Sequence, residues 1–186
     1  MSSRKIAVAT LLSTGLLLAG NAAAEVSGSI AVVSDYVFRG VSQTNEKPAL
    51  QGGITWNHES GFYAGAWGSS ISWLSDSDPE VSSQVELDGF IGYAGEFGDS
   101  GVGYDLAATY YWYPGDYPPG FTDPDTVELS VALSWSVLSA KYSYATTDLF
   151  GIPDSDGSSA LDLGLGWEFD QGWSVGAGYG RQWVAG

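Results

Sequence analysis

Cysteine is absent from the 186 residues, so no disulfide framework, thiolate metal site or cysteine-linked lipid anchor is available. Histidine occurs once, as His58, which excludes a histidine-based zinc cluster. Basic residues are scarce, 6 against 22 acidic ones, for a net charge of −16. Nucleic acid is thereby excluded as a partner, since phosphate contacts need a basic surface, and cations become the natural partners. No glycine-rich phosphate loop occurs, and nothing in the pattern calls for a cofactor. Beyond the first two dozen residues there is no apolar run of the roughly 20 residues a spanning helix needs. What is abundant is 26 Gly, 8 Trp, 11 Tyr and 7 Phe in a chain of 44% hydrophobic residues. That mixture points to β-structure with tight turns, because a helical protein would use more Ala, Leu, Glu and Lys.

The first 24 residues have the layout of a cleaved secretory signal. Arg4 and Lys5 form a positive start, Ile6 to Gly20 is apolar, and Ala22-Ala23-Ala24 supplies the small residues of a cleavage site before Glu25. Two of the 6 basic residues fall in this stretch and no acid does, so residues 25–186 carry four basic residues against 22 acidic. One β-domain over 25–186 is expected, reached by export.

Alternation of period two dominates that domain. In the first segment Val26, Ile30, Val32, Tyr36 and Phe38 share a face, against Ser27, Ser29, Ala31, Asp35 and Arg39. Further segments run from Ala49 to Asn57 and from Tyr63 to Trp73, where Tyr63, Trp67, Ile71 and Trp73 share a face. Val85 to Tyr93, Val102 to Trp112, Val127 to Val137, Leu138 to Tyr144, Leu161 to Phe169 and Trp173 to Tyr179 continue the pattern. This predicts about nine strands, each long enough to cross a bilayer obliquely. The expected fold is an all-β, antiparallel, up-and-down transmembrane β-barrel. Bacterial single-chain barrels have even strand numbers, so a further strand beyond Gly186 is also expected.

Short connections (57–61, 95–101, 137–138, 170–172) alternate with long polar ones (40–48, 74–80, 114–125, 146–159). Short turns at one end and long loops at the other fit an outer-membrane barrel. Trp73, Trp112, Tyr113, Trp135, Trp167 and Trp173 cluster near strand ends, where interfacial aromatic girdles lie. A soluble periplasmic barrel with its apolar stripes turned inward remains the alternative, because alternation does not say which face is inside.

Val33-Ser34-Asp35-Tyr36-Val37-Phe38-Arg39-Gly40-Val41-Ser42-Gln43-Thr44 resembles the opening block of the proteobacterial TorF-type porin family, also called Gcw_chp. Pro48 to Gly53, Gly61 to Ser69, Glu86-Leu87-Asp88 and Tyr110 to Gly115 are similar to further parts of that family. The resemblance covers most of residues 25–186. It implies an outer-membrane barrel with a pore function and supplies no substrate.

Asp35 and Arg39 fall on one polar face and suggest an ion pair projecting into a lumen, or one that only braces the wall. Glu86, Asp88, Asp105, Glu128, Asp162 and Glu168 also fall on polar faces, where they would favour cations. The acidic run Asp76, Asp78 and Glu80 is a weak Ca²⁺ candidate, since it lacks the Gly and terminal Glu of an EF-hand loop. Catalysis has little support. His58 sits beside Glu59 in a short turn, and Gly172-Trp173-Ser174-Val175-Gly176 has no helix after it to build a nucleophile elbow. The expected function is a porin-like channel for small solutes or cations, not an enzyme, lodged among outer-membrane lipid and lipopolysaccharide. A non-conducting structural or adhesion barrel acting through acidic loops is the second reading.

Overall fold

The computed structural model describes residues 24–169 and 173–186. The predicted signal segment, apart from Ala24, and the connection 170–172 lie outside the described residues.

Nine strands form one antiparallel sheet. They are β1 (Ala24–Val33), β4 (Ala49–His58), β5 (Phe62–Ser70), β6 (Val85–Glu96), β7 (Val102–Trp112), β8 (Thr126–Trp135), β9 (Leu138–Ala145), β10 (Ser159–Phe169) and β11 (Trp173–Trp183). Their spatial order follows the chain, from β1 through β4 to β11, so every neighbour in sequence is a neighbour in the sheet. A separate two-stranded hairpin, β2 (Val37–Phe38) and β3 (Val41–Ser42), interrupts the first connection. One short helix, α1 (Trp73–Ser77), lies in the β5–β6 connection.

Among the described residues β1 and β11 pair only on one side, so the sheet has two free edges and is not closed. As first and ninth strands of an antiparallel series, β1 and β11 run in the same direction.

The sheet is inverted relative to a water-soluble one. Leu129, Val131, Leu133 and Trp135 of β8 are exposed, as are Leu163, Leu165 and Trp167 of β10 and Leu87 and Ile91 of β6. The alternate positions point the other way, and there Gln51, Ser69, Glu86, Thr126, Glu128 and Ser143 are buried. Polar groups thus fill the inner face, around which the sheet wraps, and apolar side chains cover the outer one. Apolar stripes turned inward, as a soluble barrel requires, are not what the strands form.

Two segments depart from the sequence expectation. β1 stops at Val33, and Asp35 to Ser42 form the inturned hairpin instead of continuing the strand. Arg39 (φ 46°) and Gly40 (φ 83°) occupy the two left-handed positions of a two-residue turn whose twist matches a tight hairpin. β5 ends at Ser70, so Ile71 and Trp73 leave the strand, while Tyr63 and Trp67 lie on the inner face opposite exposed Phe62.

The long connections do not stay loose. Ile71, Leu74, Val81, Tyr111 and Tyr113 form a buried apolar cluster, packed by Phe38, Trp73, Phe121 and Phe150. Loops from three connections and the hairpin therefore share one core at a single end of the sheet. Trp73 and Tyr113 belong to this cap, ring to ring at 5.6 Å, and not to an exposed girdle.

Glycines opposite aromatics shape the inner wall. Tyr63 pairs directly with Gly92, and Gly65 with Phe90. A Cβ on Gly92 would stand 2.2 Å from the Tyr63 ring. Replacing Gly92→Val should therefore cost about 1–3 kcal/mol by overpacking, read as a lower urea midpoint of the folded protein. An unchanged midpoint would mean that the ring does not lie over this glycine.

Candidate functional site

The inner face is best followed as rows of cross-strand partners. One row runs Ser29, Gly53, Trp67, Asp88, Tyr111 and Thr126 from β1 to β8. The next holds Gln51, Ser69 and Glu86, and the row on the other side holds Thr55, Gly65, Phe90, Thr109 and Glu128. Successive acids of one strand, such as Glu86 and Asp88, share a face because side chains alternate with period two.

The β2–β3 hairpin lies over these rows. Its tip carries Arg39, whose Nη1 and Nη2 each donate to Glu128 of β8 at 2.7 Å. This bidentate fork is the one salt bridge among the described residues. Arg39 also lies within 3.5 Å of Gln182 of β11. A hairpin rooted next to β1 thus reaches the far side of the sheet, and its tip spans from β8 to β11. Burial works against the charge on Arg39, but the Glu128 carboxylate overrides it and holds the guanidinium above its ordinary range.

At the hairpin's root, the Tyr36 hydroxyl donates to Glu86 Oε1 at 2.8 Å. The Glu86 charge also acts on the Tyr113 phenol in the cap. Burial first, and the Glu86 charge second, push both phenols well above the usual tyrosine range, so they stay protonated donors. Phe38 packs edge-on to Tyr111 at 5.9 Å and to Phe150 at 5.6 Å. Tyr36 packs edge-on to Trp67 at 5.4 Å.

Each acid singled out from the sequence can now be located. Asp35 does not pair with Arg39. It accepts from Ser42 Oγ at 2.6 Å and Thr44 Oγ1 at 3.0 Å, which ties the hairpin's two arms together. The β-turn at Arg39–Gly40 turns the tip away from Asp35, which is why the expected pair does not form. Glu86, Asp88, Asp105, Glu128 and Asp162 lie on the inner face. Asp105 accepts from the Tyr63 hydroxyl at 2.8 Å, two strands away. Asp162 stands across from Lys141. Glu168 is exposed near the short-turn end of β10 and joins no cluster. Asp76 accepts from Ser72 Oγ at 2.7 Å and Asp78 from the Glu80 N–H at 2.9 Å, so both shape local turns. Among the described residues no three metal-ligating side chains converge. His58 contacts Ser60 Oγ at 2.7 Å in the short β4–β5 turn.

The family model for Gcw_chp, a bacterial protein of unknown function, matches residues 19–185. The chain belongs to the Gcw_chp family. Neither curated proteins nor solved structures offer a match.

Sequence reasoning missed the inner aromatics Tyr36, Phe38, Trp67, Phe90 and Tyr111. A signal was present: Tyr110 and Trp112 share the outer phase, which leaves Tyr111 inside.

The Arg39–Glu128 fork is expected to lock the hairpin. Arg39→Ala strands a buried carboxylate and should cost about 3–5 kcal/mol, read as an earlier loss of the SDS-resistant band on heating. The double change Arg39→Met, Glu128→Leu should recover most of that loss. Equal losses in both variants would show that the charge pair is not what holds the hairpin.

Proposed function

We propose that this protein is an outer-membrane, porin-like β-barrel channel for passive passage of small solutes or cations, exported by its amino-terminal segment. The observation that carries the reading is the inversion of the sheet. Burying apolar surface is worth roughly 25 cal/mol per Å², so an outer face on which Leu, Ile, Val, Trp, Tyr and Phe are left bare needs an apolar surrounding. Hydrocarbon supplies one. Exposed aromatics also ring both rims, with Trp56, Phe62, Trp135 and Phe169 at the short-turn end and Tyr110, Trp112 and Trp183 at the other. Interfacial girdles have this placement.

In the barrel, every backbone group at membrane depth must be paired, because an unpaired edge in hydrocarbon costs several kcal/mol per group. The free edges of β1 and β11 are therefore satisfied in the membrane-embedded form. Inside, the acids Glu86, Asp88, Asp105 and Asp162 give the passage a negative lining that favours cations. The hairpin narrows it, so a low conductance is expected.

The folded loop cap favours a second reading, a non-conducting barrel that acts through its surface. Alone, it does not explain why the wall beneath carries so many acids.

Refolded protein in a planar bilayer should give small channels whose reversal potential in a salt gradient marks cation preference. Its band should resist SDS cold and shift on heating. A heat shift with no channels would leave the second reading, and no shift at all would remove the barrel.

A further inference from the structure

A cavity of about 550 Å³ opens on the inner face, between the sheet and the hairpin. Asp88 forms part of its wall, along with Tyr36, Phe38, Trp67, Phe90 and Tyr111. The register explains the grouping. Asp88 lies directly across from Trp67 on one side and from Tyr111 on the other, so a carboxylate is flanked by two large rings in one row. Gly53 makes room for this: a Cβ there would stand 3.1 Å from Trp67 Cδ1, so the indole lies over the glycine.

The Asp88 carboxylate has no counter-charge. Its Oδ1 is shut off from solvent, and no described residue donates a hydrogen bond to it. Arg39, at the hairpin's tip, is engaged by Glu128 on both of its terminal nitrogens. Asp88 lines the cavity while Oδ1 is shut off, so its other oxygen is the one a cation there would meet, and pairing with it would relieve the cost of charging a largely buried carboxylate. Aromatic faces attract cations as well, and they do so best for ions that shed water easily, such as alkylated ammonium groups. Inorganic cations keep their hydration and gain little from rings. Walls of Ser27, Ser29, Thr55 and Thr109 add hydroxyls at the periphery.

We infer that this cavity is a binding site for a small organic cation bearing an alkylammonium group, held by the Asp88 carboxylate and enclosed by the rings of Trp67, Tyr36 and Tyr111. The inference deepens the channel reading by naming a substrate class, and rests on it only for the ligand's route. Binding itself requires the cavity alone.

The test is tryptophan fluorescence of the full protein, folded in detergent and checked by its heat-dependent mobility. Choline chloride, its neutral carbon isostere 3,3-dimethylbutan-1-ol and sodium chloride are titrated separately at constant ionic strength. Saturable quenching is expected with choline and not with the alcohol or sodium. Asp88→Asn should weaken choline by roughly tenfold or more, since both the charge-assisted contact and the charge itself are lost. Trp67→Phe should keep binding but shrink the signal. Equal responses to choline and the alcohol would overturn the site, and so would an unaltered choline affinity in folded Asp88→Asn. Should Asp88→Asn fail to fold, the choline–alcohol contrast in the unsubstituted protein decides. Bilayer recordings separate the two readings: saturable choline binding without channels removes the channel and leaves the site, whereas channels without charge-dependent binding remove the site and leave the channel.

Discussion

Alternation of side chains along an antiparallel strand has one free choice, which phase faces inward, and neighbouring strands of this sheet share that choice. Ladder pairing then propagates it, because a one-residue slip of a strand such as β8 would turn Leu129, Val131 and Leu133 inward and Glu128 and Ser130 out. Registers such as Trp67 with Asp88 and Thr109 with Glu128 fix polar and aromatic residues in shared inner rows. Everything else in the molecule depends on that phase. The outer face presents bare apolar surface, and the inner face gathers the acids and their partners.

The inner face meets that demand with the β2–β3 hairpin. Arg39 neutralises Glu128, Tyr36 donates to Glu86, and Tyr63 donates to Asp105. The hairpin is held at its root by Asp35, at its tip by Arg39 and along its flank by Phe38 against Tyr111 and Phe150. Three anchors of different chemistry make it a fixed part of the wall. The loop cap adds an apolar core at the same end, built from three connections and from Tyr111 of β7. Asp88 Oδ1 is left buried without a donor.

Strand number and most strand bounds were legible, because a period of two over ten residues is hard to mistake and the connections alternate in length. The direction of the faces was not legible from periodicity, since a soluble barrel and a lipid-facing one share the same pattern. Asp35 and Arg39 were placed on a continuing strand because their phase matches β1. The break comes from Arg39–Gly40, where two left-handed residues close a hairpin that a run of alternating residues conceals. Tyr63 and Trp67 were grouped with the apolar stripes because aromatic type outweighed phase. Their role as inner-wall residues depends on Gly92 and Gly53 across the ladder, a long-range pairing that no local pattern contains.

Because the chain has no cysteine, single cysteines can report on each face without background. The most direct test is spin labelling along β8 in lipid vesicles, with Ser130→Cys, Val131→Cys, Ala132→Cys and Leu133→Cys made one at a time. Collision with lipid-soluble oxygen should be high at 131 and 133 and low at 130 and 132, with a period of two. Uniform accessibility to a water-soluble nickel reagent at all four positions, or oxygen maxima at 130 and 132, would contradict an outer face that meets lipid.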